Sequence, residues 1–196
     1  MKTIVVKIAV VGTTALLAAP ALAQEGSPSG PYLGVGVTAV DHHFVLEETT
    51  GSTTTRRNVT QWGVGGAAFA GYNGRIGRSL IAGVEGAYLF GGKTAATRTS
   101  GGAPVGFDPR WGFSVAARLG YEVAPGTLVY VKGGYGEHHY RLVLPAGASS
   151  GDSTTASFVL GGGVEHRIGR NLSARLEFEH LDGSRNQFML GFPIRF

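Results

Sequence analysis

The sequence has 196 residues, no cysteine, 33 glycines, 43% hydrophobic and only 15% charged side chains, with a formal net charge of +4. Such a length suits one domain. The lack of cysteine excludes a disulfide framework and a thiolate metal centre, and the small net charge indicates neither a basic nucleic-acid face nor a charged disordered tail.

Residues 1–23 read as a secretory signal. Lys2 and Lys7 form the positive start, Ile8 to Leu17 the apolar run, and Ala21-Leu22-Ala23 the small-residue cleavage site. Its removal leaves 15 basic side chains against 13 acidic ones. A short polar leader, residues 24–30, follows. After it, no stretch approaches the ~20 apolar residues of a membrane helix. A glycine-rich, fairly apolar and weakly charged chain without such a helix suits membrane β-structure.

From residue 31 onward the chain falls into segments of alternating hydrophobicity, the period-two mark of strands with one apolar face. The first lies near 31–43, with Leu33, Val35, Val37 and Ala39 opposed to Gly34, Gly36 and Thr38. The second, near 61–72, sets Val64, Ala68, Ala70 and Tyr72 against Gly63, Gly65, Ala67 and Gly71. The third, near 79–90, sets Leu80, Ala82, Val84, Tyr88 and Phe90 against Gly83 and Glu85. In the fourth, near 110–121, Trp111, Phe113, Val115, Ala117, Leu119 and Tyr121 share one face. Gly112, Ser114, Ala116, Arg118 and Gly120 share the other.

The fifth segment, near 127–140, opposes Val129, Val131 and Tyr135 to Tyr130, Lys132, Gly134 and Gly136. The sixth, near 154–166, opposes Phe158, Leu160 and Val164 to Gly161, Gly163 and Glu165. The seventh, near 172–181, opposes Ala174, Leu176 and Phe178 to Arg175, Glu177 and Glu179. The eighth carries Phe188, Leu190, Phe192, Ile194 and Phe196 on one face, so its apolar alternation runs unbroken to a terminal aromatic. An even strand count is what a bacterial single-chain barrel requires.

The links support the same architecture. Those at 44–60, 91–109 and 141–153 are long and rich in Gly, Ser and Thr; those at 73–78, 122–126 and 167–171 are short turns. Long and short alternate, as when one rim carries loops and the other tight turns. The link 182–185 breaks the alternation by being short. Which face is outside follows from composition. The non-apolar face is mostly Gly, Ala and Ser with a few charges, which suits a narrow barrel interior better than a wet exterior. Tyr72, Tyr88, Phe90, Trp111, Tyr121 and Phe196 near the ends of apolar faces suit interfacial girdles. A soluble ligand-binding barrel is the alternative that these two features oppose.

Gly66-Ala-Ala-Phe-Ala-Gly-Tyr-Asn73, Gly83-Val-Glu-Gly-Ala-Tyr88, Leu160-Gly-Gly-Gly-Val-Glu-His166, Leu176-Glu-Phe-Glu-His180 and the ending Arg195-Phe196 resemble the strands of small outer-membrane barrels, the OmpA-like and opacity-like family. The resemblance covers essentially all of residues 31–196 through degenerate motifs. It implies an all-β, eight-stranded antiparallel up-and-down transmembrane barrel in the bacterial outer membrane, seated among lipopolysaccharide and inserted by the barrel-assembly machinery. It also implies an assembly signal formed by Phe188, Leu190, Phe192, Ile194 and Phe196. The resemblance stops at the barrel, so the peptidoglycan-binding role of full-length OmpA is not implied.

Seven charges share the inward parity: Glu85, Arg118, Lys132, Glu165, Arg175, Glu177 and Glu179. Isolated charges in a narrow lumen are costly, so these are expected to pair into an interior ionic network. The sharper reading is an ion path or gate, like the interior salt-bridge cluster of OmpA. Outer-membrane lipid A deacylases carry a membrane-facing His and Ser two residues apart, but here Asp182 follows His180 where Ser is needed, and Ser184 lies beyond it. The doublets His42-His43 and His138-His139 are split between faces by alternation and read as rim residues rather than metal ligands. Arg56, Arg57, Lys93 and Arg98 in the long links suit contact with lipopolysaccharide phosphates.

The expectation is a monomeric structural envelope barrel with surface loops and neither enzymatic activity nor cofactor, metal or nucleic-acid binding. A low-conductance pore, a lipid-modifying barrel enzyme and a soluble ligand-binding barrel stand as alternatives.

Overall fold

The computed structural model describes residues 28–50, 52–92, 95–98, 104–143, 151–181 and 185–196, with the side chains of 42–50 and a few others at strand tips outside that description. The expected signal segment 1–23 also lies outside it, as do leader residues 24–27. The described chain forms nine strands: β1 (Gly30–Thr50), β2 (Thr53–Ile76), β3 (Leu80–Phe90), β4 (Ala95–Arg98), β5 (Pro104–Ala124), β6 (Thr127–Val143), β7 (Asp152–Arg167), β8 (Ser173–Leu181) and β9 (Arg185–Arg195). All pairings are antiparallel. Strand β3 pairs with β5, and β9 returns to β1, so eight strands close into a ring and β4 merely adds to the upper edge of β5. Closure removes every sheet edge within the ring, which is what allows a sheet to cross a membrane.

The faces follow the alternation. Val35, Val64, Val84, Val115, Val131, Leu160, Leu176 and the eighth segment's aromatics all point outward and are exposed. An apolar exterior of this kind is stable only against lipid. The inner face is less uniformly small than its glycines suggest: Tyr32, Phe69, Ile81, Leu128 and Met189 also point inward and are buried. Glycines make room for them. A Cβ on Gly34 would strike the Phe69 ring, one on Gly71 the Tyr32 hydroxyl, and one on Gly163 the Tyr130 hydroxyl.

The links differ from their expected form. Strands β1 and β2 stay paired up to Thr50↔Thr53, β6 and β7 up to Arg141↔Asp152, and β4 pairs with Pro104–Phe107 inside the second long link, 91–109. What composition marks as loop is therefore largely raised hairpin. Thr and Val are strand-forming residues, but these segments carry no sustained apolar alternation to reveal the strand. The opposite rim is built of tight turns, with Gly77 and Gly126 at φ 86° and 75°, conformations that favour glycine. The end of the leader is tied to this rim: Asn73 Nδ2 donates to the Pro28 carbonyl at 3.1 Å, and Arg195 Nε donates to it at 3.2 Å.

Candidate functional site

Period two sends every second side chain of each strand into the lumen, and closure brings distant strands face to face. All seven inward charges named from the sequence meet there, each at most 4% exposed. Glu85 of β3 is the hub. Its Oε2 lies 2.6 Å from Arg175 Nη1 of β8 and 3.3 Å from Arg118 Nη1 of β5, and its Oε1 lies 3.2 Å from Lys132 Nζ of β6. Strands β3 and β8 are diametrically opposite in the ring, so the Glu85–Arg175 pair spans the lumen.

Lys132 also binds Glu177 at 2.8 Å and pairs with Glu179. Gly161 stands between Lys132 and Glu179 in the ladder and leaves space for that reach. Arg175 Nη2 lies 3.3 Å from Glu165 Oε2, with Arg118 Nη2 at 3.6 Å from the same oxygen. Each carboxylate thus has a cationic partner, the condition under which buried charge is tolerable.

Three members were missed from the sequence. Arg195 pairs with Glu165 from the end of β9, which makes four acids and four bases. Tyr32 donates its hydroxyl to Glu85 Oε2 at 2.8 Å while accepting from Arg118 Nη1, and Tyr130 donates to Glu177. The guanidinium of Arg118 also lies 3.9 Å from the Tyr130 ring centroid, and that of Arg175 lies 4.4 Å from the Phe69 centroid. These are cation–π distances. Parity already set Tyr130 on the inner face and would have found Arg195 and Tyr32, since each alternates with lipid-facing neighbours; the partners of all three it could not supply.

The remaining candidates do not join this cluster. Phe188, Leu190, Phe192, Ile194 and Phe196 lie on the outer face, the first four in ladder with β1. The Phe196 amide donates to the Pro31 carbonyl at 3.1 Å. His180 faces outward, its Nδ1 2.9 Å from Asn186 Oδ1; Asp182 and Ser184 lie outside the described residues. His138 is buried inside, whereas His139 stacks on Trp111 with centroids 3.7 Å apart; the side chains of His42 and His43 lie outside those described.

A closed eight-stranded ring with an apolar exterior and an ion-paired interior defines an integral outer-membrane β-barrel. The chain belongs to the outer membrane protein beta-barrel domain family, whose pattern it matches over residues 9–196. It is 32% identical over 142 residues to the 31 kDa outer-membrane immunogenic protein of Brucella melitensis, covering 66% of this chain and 58% of that one. It is 30% identical over 121 residues to the 22 kDa outer membrane protein of Rhizobium leguminosarum bv. viciae, covering 62% and 53%. The chain thus spans little more than half the length of these curated relatives.

Among solved structures, the Ail protein of Yersinia pestis superposes with a TM-score of 0.53 at 18% identity over 86% of this chain and 99% of that one. Neisserial surface protein A gives 0.50 at 15% identity, over 86% and 98%. At such identities the likeness speaks for the fold alone. Family, relatives and fold together place the chain in the bacterial outer membrane.

Proposed function

We propose that this chain is a structural outer-membrane barrel: a sealed, non-catalytic monomer that contributes to envelope integrity and holds raised hairpins above the cell surface. The observation that supports the reading is the Glu85–Arg175 pair across the lumen, with the six further charges packed around it. Eight strands leave an interior that side chains can fill, and a cross-lumen network spans this one. Basic residues at the raised rim, Arg56, Arg57 and Arg98, would meet lipopolysaccharide phosphates. Outward-facing Phe188 to Phe196 would be read by the barrel-assembly machinery.

Planar-bilayer recording tests the sealed lumen. The purified protein should give no conductance or only small, infrequent openings, and Arg118→Ala should make openings more frequent by leaving acids underpaired. Large, stable ohmic steps from the unmodified protein would overturn the reading in favour of a pore. Envelope integrity is tested separately: a deletion strain should become more sensitive to detergents and bulky antibiotics, and unchanged sensitivity would remove that part of the proposal.

A further inference from the structure

On the loop side of the network the packing of the lumen is incomplete. Above the layer of Glu179 and Gln187 lies a cavity of about 40 Å³, roughly three water-sized positions. Its existence follows from the sequence: the inward-facing Gly63, Gly65 and Gly112 carry no side chain into it. Polar groups border it in an uneven way. Arg185, at the start of β9, points inward opposite His42 in the ladder and places its guanidinium 5.1 Å from the Tyr140 ring centroid. Tyr140 stacks in turn with His138, centroids 6.4 Å apart. The floor is joined to the ionic network through Gln187, whose Nε2 donates to Glu179 at 2.9 Å.

Charge is balanced below this cavity and unbalanced within it. Among the described residues, Arg118, Lys132, Arg175 and Arg195 of the lumen each meet a carboxylate, whereas Arg185 meets none. The Tyr140 hydroxyl is buried without a hydrogen-bond partner. A half-buried cation without a counter-charge beside an unused hydroxyl donor is an unfavourable arrangement by itself. It becomes favourable once an anion that accepts several hydrogen bonds sits between them.

We propose that this cup binds a single phosphate group, gripped by the Arg185 guanidinium and the Tyr140 hydroxyl, with His138 at its side. Phosphate suits the site because a guanidinium fork can satisfy two of its oxygens and leave a third for the hydroxyl. The cavity admits the phosphate group and no more, so any molecule that carries it keeps its remainder outside the cup. The group could belong to a soluble phosphate ester or to a lipopolysaccharide headgroup; the chemistry of recognition is the same.

Equilibrium dialysis of the refolded barrel in detergent against radiolabelled inorganic phosphate tests this. Saturable binding at one site per barrel is expected, weakened at least tenfold in Arg185→Gln, several-fold in Tyr140→Phe, and less in Arg185→Lys than in Arg185→Gln. Heat-dependent gel mobility verifies that each variant is folded. Competition assigns the source: displacement by glycerol phosphate but not by lipopolysaccharide micelles indicates a soluble ester, and the reverse indicates the lipid headgroup; both support the site. Absence of saturable binding by the unmodified protein, or equal binding by folded Arg185→Gln and Tyr140→Phe, overturns it.

Discussion

Replacing Glu85 with Gln removes one charge from the centre of the lumen while keeping its shape. Glu85 accepts from Tyr32, Arg118, Lys132 and Arg175, and all five side chains are buried. The amide turns one oxygen into a donor that faces other donors, and it leaves four cations against three carboxylates. Breaking a buried ion pair by removing one partner costs about 3–5 kcal/mol, so urea unfolding in lipid vesicles, followed by Trp62 and Trp111 fluorescence and by gel mobility, should show a loss in that range. The second arm removes Arg118 as well, with Met in its place against the Tyr130 ring. That restores neutrality and leaves every other charge paired: Lys132 with Glu177 and Glu179, Arg175 with Glu165, Arg195 with Glu165. The double variant should therefore lose roughly 1–3 kcal/mol less than the sum of the two single losses, the coupling expected of contacting groups. A single variant within about 0.5 kcal/mol of the parent, as at an uninvolved surface site, or a strictly additive double, would refute the idea that Glu85 is the hub.

Three further outcomes are expected. Deleting Phe196, or replacing it with a charged residue, should reduce the amount of protein reaching the outer membrane without affecting synthesis or export; wild-type levels in a membrane fractionation would contradict the assembly-signal reading. Arg at Val115 or Leu176, which are 59% and 65% exposed on the outer face, should lower stability by about 2–4 kcal/mol if they meet lipid at mid-depth. Spin labels at 113–119 should then alternate, odd positions accessible to a lipid-soluble quencher and even positions sheltered, and the reverse pattern would invert the barrel's faces. Gly163→Ala should destabilise by roughly 1–3 kcal/mol, an overpacking cost, because the new Cβ would press on the Leu176 carbonyl and on the Tyr130 hydroxyl 2.7 Å away; an unchanged denaturation midpoint would show that the aromatic can move aside freely.

Much of this molecule is legible in its sequence because a strand obeys a local rule. Side chains alternate with period two whatever the strand pairs with, so the lipid face from Phe188 to Phe196 and the inward parity of Glu85, Arg118, Lys132 and Arg175 could be assigned without coordinates. The same rule was blind at the raised hairpins. There β1 and β2 continue to Thr50 and Thr53 through a run rich in Thr, Glu and Arg, and nothing in the pattern separates strand from polar loop.

What only the tertiary structure decided is who meets whom. Glu85 and Arg175 are 90 positions apart and touch because the ring closes with a particular register; a two-residue shift of one strand would preserve every face and change every partner. Register likewise brings Arg195 to Glu165, completing the balance of charge, and seats Tyr32 and Phe69 over Gly71 and Gly34. It also leaves Arg185 beside Tyr140 with no carboxylate among the described residues. Alternation is a property of each strand alone, whereas pairing across a lumen is a property of the closed barrel, and no local signal in the chain carries it.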